Sequence, residues 1–101
     1  MIILNITTQV SHAAHEAWLK WFTEEHLPAI MRTGSFTHAQ WVRVRELADE
    51  EGLTYAVQLY CPDWSALDAF RINELPRFRE SEKKLWGNNI FSFESVMEVI
   101  N

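Results

Sequence analysis

At 101 residues and with 48% hydrophobic against 23% charged side chains, the chain has the size and balance of one packed domain, which excludes a multi-domain assembly and a disordered or low-complexity chain. The net charge of −5 and six dispersed arginines leave little material for neutralising phosphates, so nucleic acid is not an expected partner. The single cysteine, Cys61, offers no internal disulfide, CxxC pair or multi-cysteine zinc cluster. It suits a reducing cytoplasm. The apolar start Met1–Ile6 is interrupted by Asn5, Thr7, Thr8 and Gln9 before it reaches the length of an export signal or membrane span, so neither is expected.

Apolar residues at positions 2, 4 and 6 predict a first strand. Ser11 is the expected cap of a helix reaching about Glu25, with Ala14, Ala17, Trp18, Trp21 and Phe22 on one face. Pro28 disfavours helical geometry at Leu27, so a break is expected there, with a short restart through Met31 that closes at Gly34. Phe36–Leu47 predicts a second strand, with Val42 and Val44 on one face and Trp41, Arg43 and Arg45 on the other. The acidic turn Asp49-Glu50-Glu51-Gly52 leads into Leu53–Cys61, the clearest period-two signal in the chain. A second amphipathic helix follows Pro62-Asp63 through Trp64, Leu67 and Phe70; Pro76 interrupts it, and Phe78–Leu85 resumes it. After Gly87-Asn88-Asn89, Ile90–Ile100 is a last strand with Phe91, Phe93, Met97 and Val99 on one side.

The order is β-α-β-β-α-β, and the halves repeat: Phe22, Leu27 and Pro28 precede Phe70, Leu75 and Pro76 by 48 positions. Two such halves predict an α+β, ferredoxin-like plait, a four-stranded antiparallel sheet with both helices on one face. The expected core face carries Leu4, Ile6, Val42, Val44, Tyr55, Val57 and Leu59. The other face would then carry Asn5, Thr7, Trp41, Arg43, Arg45, Thr54, Gln58 and Tyr60, which is too aromatic for an ordinary wetted surface. Two such faces stacked by a twofold axis would form a dimeric α/β barrel, with its interior either a ligand chamber or filled by these side chains.

The string W-L-K-W-F-T-E-E-H-L-P (Trp18–Pro28), Gly34-Ser35-Phe36, the L-T-Y-A-V-Q strand and Leu75-Pro76 together resemble, over essentially the whole chain, a family of short bacterial proteins of unknown function in the dimeric α/β-barrel superfamily. The resemblance implies a homodimeric ferredoxin-like barrel and no particular reaction. Other branches include cofactor-independent monooxygenases, lactone isomerases, polyketide cyclases, ethyl tert-butyl ether degradation-type proteins and haem-degrading enzymes. In several of them a histidine near the end of the first helix faces a cavity, and His26 matches it. Asn5 matches the strand-one asparagine of the haem-degrading branch. The second-half counterpart of His26 is Glu74, a departure from that branch's haem-ligating histidine, so no cofactor is expected.

His26 is the candidate catalytic acid or base, because imidazole ordinarily titrates near neutral pH; a structural role at the helix break is the alternative. Asn5, His38, Trp41, Arg43, Gln58 and Tyr60 are the candidate ligand-binding residues. Arg43 with Arg45 would clamp a planar anion or pair with carboxylates such as Glu94; Trp41, Gln58 and Tyr60 would add stacking and hydrogen bonds or merely pack an interface. Glu24 and Glu25 read as solvated. The His12-x-x-His15-Glu16 run lacks a third distant ligand, so no metal site is expected. Cys61 reads as a small core residue. Three functions remain open: a homodimer binding a small aromatic or anionic molecule, a cofactor-independent isomerase, cyclase or monooxygenase using His26, and a structural or regulatory dimer with a filled barrel.

Overall fold

The computed structural model describes residues 1–48 and 50–101; Asp49, part of the expected acidic turn, lies outside the described residues. The elements run β1 (Ile2–Val10), α1 (His15–Trp21), a π-helical turn (Phe22–His26), α2 (Leu27–Arg32), β2 (His38–Arg43), β3 (Leu53–Cys61), α3 (Trp64–Asn73), α4 (Leu75–Trp86), a 3-10 turn (Gly87–Asn89) and β4 (Ile90–Glu98). The strands form one antiparallel sheet in the order β2-β3-β1-β4, covered on one face by the helices. This is the ferredoxin-like α+β plait. Gly52 is required where β3 begins, since a Cβ there would lie 2.1 Å from the Val10 carbonyl oxygen.

Register decides which side chains meet the helices. Leu4 lies opposite Leu59 and Val96, and Ile6 opposite Val57 and Glu94, so even positions of β1 and β4 and odd positions of β3 face the helical layer. Leu4, Val10, Val57, Leu59 and Cys61 are fully buried there. The same register corrects the expected facing of β2. Trp41 pairs with Val57 and Arg43 with Tyr55, so both point under the helices, and Val42, opposite Ala56, points to the open face. β2 alternates with period two, but in the phase opposite to that expected, because the indole of Trp41 packs among the aromatic rings beneath the helices. Trp41 stacks on Phe22 at 4.3 Å and on Tyr55 at 5.0 Å between centroids. Arg45 lies beyond the end of β2 and is exposed.

The first helical layer also departs from expectation at Pro28. No break occurs: Leu27 keeps helical angles, φ −62° and ψ −44°, and its N–H bonds the Phe22 carbonyl five residues back. A wider turn makes room where a regular α-turn would drive the proline ring toward the carbonyl four residues earlier. It has a second consequence. In a regular helix a row spaced by four drifts around the axis, but here Trp18, Phe22, His26 and Ile30 all stay buried, at 1%, 5%, 5% and 2% exposure. The second half meets Pro76 differently. The helix is interrupted at Glu74, whose φ widens to −117° within the right-handed region, and α4 starts afresh with Pro76 in its first turn, where no N–H is needed. Asp63 caps α3 by accepting from the Ala66 N–H at 2.9 Å. Among the described residues no helix is long and apolar enough to cross a membrane.

Candidate functional site

On the helix-covered side the two halves of the sheet are filled differently. Beneath α1 and its π-turn, Trp18, Phe22, Trp41 and Tyr55 make a continuous aromatic cluster, extended by His15, whose Nε2 lies 2.7 Å from the Tyr55 hydroxyl. Beneath α4 the sheet offers a different surface. In β4 the register turns Ile90, Ser92, Glu94 and Val96 toward the helices and leaves Phe91 and Phe93 on the outside, 67% and 53% exposed. Ser92 is exposed and Ile90 and Glu94 are half-buried, so the helix side of this edge strand is only partly covered. They border a cleft of about 330 Å³ between α4 and the β1–β4 pair, walled by Ile6, Leu75 and Ile90, carrying Arg79, Glu82, Ser92 and Glu94, and reaching the outward-facing Phe93 at the edge strand β4.

Glu82 is held from behind by His26. Their Oε1 and Nε2 lie 3.2 Å apart, with the imidazole 5% and the Glu82 side chain 19% exposed. The ring is wedged by aromatics: it stacks on Trp21 at 4.3 Å and meets the Phe78 ring edge-on at 5.6 Å. Packing on both sides and a bond at Nε2 restrict its rotation, so it can orient one carboxylate oxygen. Across the cleft Glu94 accepts from Arg79, an ion pair whose guanidinium is 61% exposed at the rim. Ser92 is hydrogen-bonded at 2.8 Å to Thr8, which is itself buried. His26 also borders a shallower cleft of about 290 Å³ on the other flank of α4, with Trp21, Ala29, Phe78 and Leu85. The arrangement can hold a small apolar body against Ile6, Leu75 and Ile90 while a carboxylate braced by imidazole takes or returns a proton.

The expected site residues divide between the two sides of the sheet. His26 and Trp41 share the helix side, linked through Phe22, while Asn5, Gln58, Tyr60 and His38 lie on the open face. There Asn5 pairs in register with Gln58, and His38 stacks on Tyr60 at 4.1 Å. The structure therefore does not bring these four to His26, and Trp41 and Arg43 leave the open face altogether. Glu82, Glu94 and Ser92 did not stand out in the sequence as site residues. The available signal was the polar side of β4, whose apolar alternates Phe91, Phe93 and Met97 were already visible.

His15 bonds Tyr55 rather than standing in solvent, and among the described residues no three His, Cys, Asp or Glu side chains form a group that could hold a metal ion. Cys61 is fully buried and its thiol lies within 3.4 Å of the Ile2 carbonyl. Burial pushes its pKa up, and the Asp63 carboxylate pushes it the same way, the opposite of an activated nucleophile.

The family model described as a domain of unknown function, DUF4286, matches residues 1–100. No curated protein matches. Among solved structures the chain is similar to an ethyl tert-butyl ether degradation (EthD) family protein from Bacillus halodurans, with a TM-score of 0.72 and 16% identity over 99% of this chain and 100% of that one. It is similar also to SnoaB, a cofactor-independent oxygenase from Streptomyces nogalater, here in mutant form, with a TM-score of 0.69 and 15% identity over 99% and 94% of the two chains. A dimeric ferredoxin-like protein of unknown function from Jannaschia gives a TM-score of 0.58 and 15% identity over 98% and 100%. At these identities the likeness is one of fold.

Proposed function

The chain belongs to the DUF4286 family, which brings no activity with it, and from the geometry we propose that it is a homodimeric small-molecule enzyme of the cofactor-independent isomerase, cyclase or monooxygenase type. Its acid–base group is Glu82, with His26 as the residue that positions it. The observation that carries the reading is the Glu82–His26 pair at the wall of a 330 Å³ cleft that also offers the apolar Ile6, Leu75 and Ile90. This moves proton transfer one residue outward from the sequence expectation: His26 acts through Glu82, and the ligand lies between helix and sheet. The oxygenase named among the structural neighbours is consistent with cofactor-free chemistry on this fold.

Native protein, Glu82→Gln and His26→Gln are to be compared on lactones, quinols and β-keto compounds in deuterated water. Turnover or C–H exchange should be present in the native protein, at least a hundredfold lower in Glu82→Gln and intermediate in His26→Gln. General acid–base groups contribute on the order of 10²–10⁴ in rate. Exchange that survives Glu82→Gln unchanged, or that no compound supports, overturns the reading.

The open face is the proposed dimer surface. It carries the exposed Phe91 and Phe93 on the same face as the Asn5–Gln58 and His38–Tyr60 pairs, and water-facing aromatics of this kind mark interfaces. In this reading Asn5, His38, Gln58 and Tyr60 contact the second copy. Sedimentation equilibrium at micromolar protein should return twice the 11.9 kDa chain mass, and Phe91→Asp, outside the cleft, should return the single-chain mass. A native monomer overturns it. The buried free thiol Cys61 supports a cytoplasmic location.

A further inference from the structure

Resting on the reading of the Glu82 cleft as a ligand site, we infer the class of molecule it takes: an apolar body bearing a hydrogen-bond donor, such as an alcohol, a phenol or an amine, with carboxylates and phosphates excluded. The charges on the walls carry the argument. Glu82 on α4 and Glu94 on β4 bring two carboxylates to one cleft, both 19% exposed, against one guanidinium. That guanidinium, Arg79, is already engaged with Glu94. An anion entering the cleft would meet two like charges in a partly desolvated space, where charge–charge interactions are stronger than in water. Recruiting Arg79 would strip Glu94 of its partner and leave a half-buried carboxylate unpaired, which is costly.

The hydrogen-bonding inventory agrees. An ionised carboxylate only accepts, so Glu82 and Glu94 ask the ligand to donate. The Nε2 of His26 is committed to Glu82, and the Ser92 hydroxyl is shared with Thr8. Beyond one hydroxyl proton of the Ser92–Thr8 pair, the donor on the described walls that could meet an anion's oxygens is the rim guanidinium. Ile6, Leu75 and Ile90 take the hydrocarbon part. The anion clamp expected from Arg43 does not operate here, because Arg43 lies at the far edge of the sheet on β2.

The test uses three probes of one shape, 2-naphthol, 2-naphthylmethylamine and 2-naphthoate, titrated at neutral pH into the full-length native protein and followed by amide chemical shifts. The two donors should perturb Glu82, Ser92 and Glu94 and bind at least tenfold tighter than 2-naphthoate. In Glu94→Gln, which removes one wall charge, the gap should narrow to about threefold or less. Naphthoate binding in the cleft as tightly as the donors overturns the inference and leaves the ligand site standing. If no probe perturbs the cleft, the ligand-site reading itself fails and takes the inference with it.

Discussion

The two crossovers of this plait begin from nearly the same material, a helix carrying a Phe, then a Leu-Pro, and end differently. In the first, Pro28 is absorbed by a π-turn, the helix runs on, and Trp18, Phe22, His26 and Ile30 hold one buried row against Trp41 and Tyr55. In the second, Glu74 breaks the helix before Pro76, and α4 presents Leu75, Arg79 and Glu82 to a strand whose helix side carries Ser92 and Glu94. The first crossover is therefore a packed aromatic wall and the second a half-empty one. The lesson is that pseudo-symmetry supplies two equivalent clefts and side-chain volume closes one of them. His26 connects the two: rooted in the filled half by Trp21 and Phe22, it reaches Glu82 in the open half.

The contrast can be broken at its strongest point by Trp18→Ala. The residue is 1% exposed and touches Phe22, Trp41 and Tyr55, so its removal should destabilise the fold by about 3–5 kcal/mol in denaturant unfolding. A loss below about 1 kcal/mol would mean that the first crossover is not the packed half. His26→Ala tests the link between the halves. It removes an imidazole sandwiched by Trp21 and Phe78 and leaves Glu82 without its partner, and should cost roughly 1–3 kcal/mol. His26→Gln, which keeps a donor, should recover part of that. The smallest effect belongs to the open half. Glu94→Leu removes a carboxylate paired with the exposed Arg79 and places an apolar group against Ile6, so stability should move by less than about 1 kcal/mol in either direction. A loss as large as that of Trp18→Ala would show that the second crossover is structural rather than a site.

Much of this was legible in the residues themselves. The alternation of Leu53–Cys61 and the apolar 2, 4, 6 of β1 are local, and the 48-residue echo of Phe-Leu-Pro led to the plait and its element order without any long-range information. His26 was visible as an unusual residue because it sits beside Pro28, and Asn5, Gln58 and Tyr60 fell on the face assigned to them. The phase of β2 was not legible. Trp41-Val42-Arg43-Val44 alternates equally well with either set inside, and only hydrogen-bonded register against β3, which places Trp41 opposite Val57, selects the indole for the interior. Pro28 misled for a related reason, since a proline forbids the regular turn but does not say whether the chain breaks or widens.

What the sequence by itself determined, then, was periodicity, punctuation and the doubling of the motif, all properties that can be read along the chain without knowing what packs on what. Which side of each strand is covered, and that His26 meets Glu82 across 56 positions, were decided only by tertiary structure. Periodicity says how often a side chain recurs on a face. Coverage depends on what a distant segment lays over that face, and on whether its side chains have the volume to fill the gap.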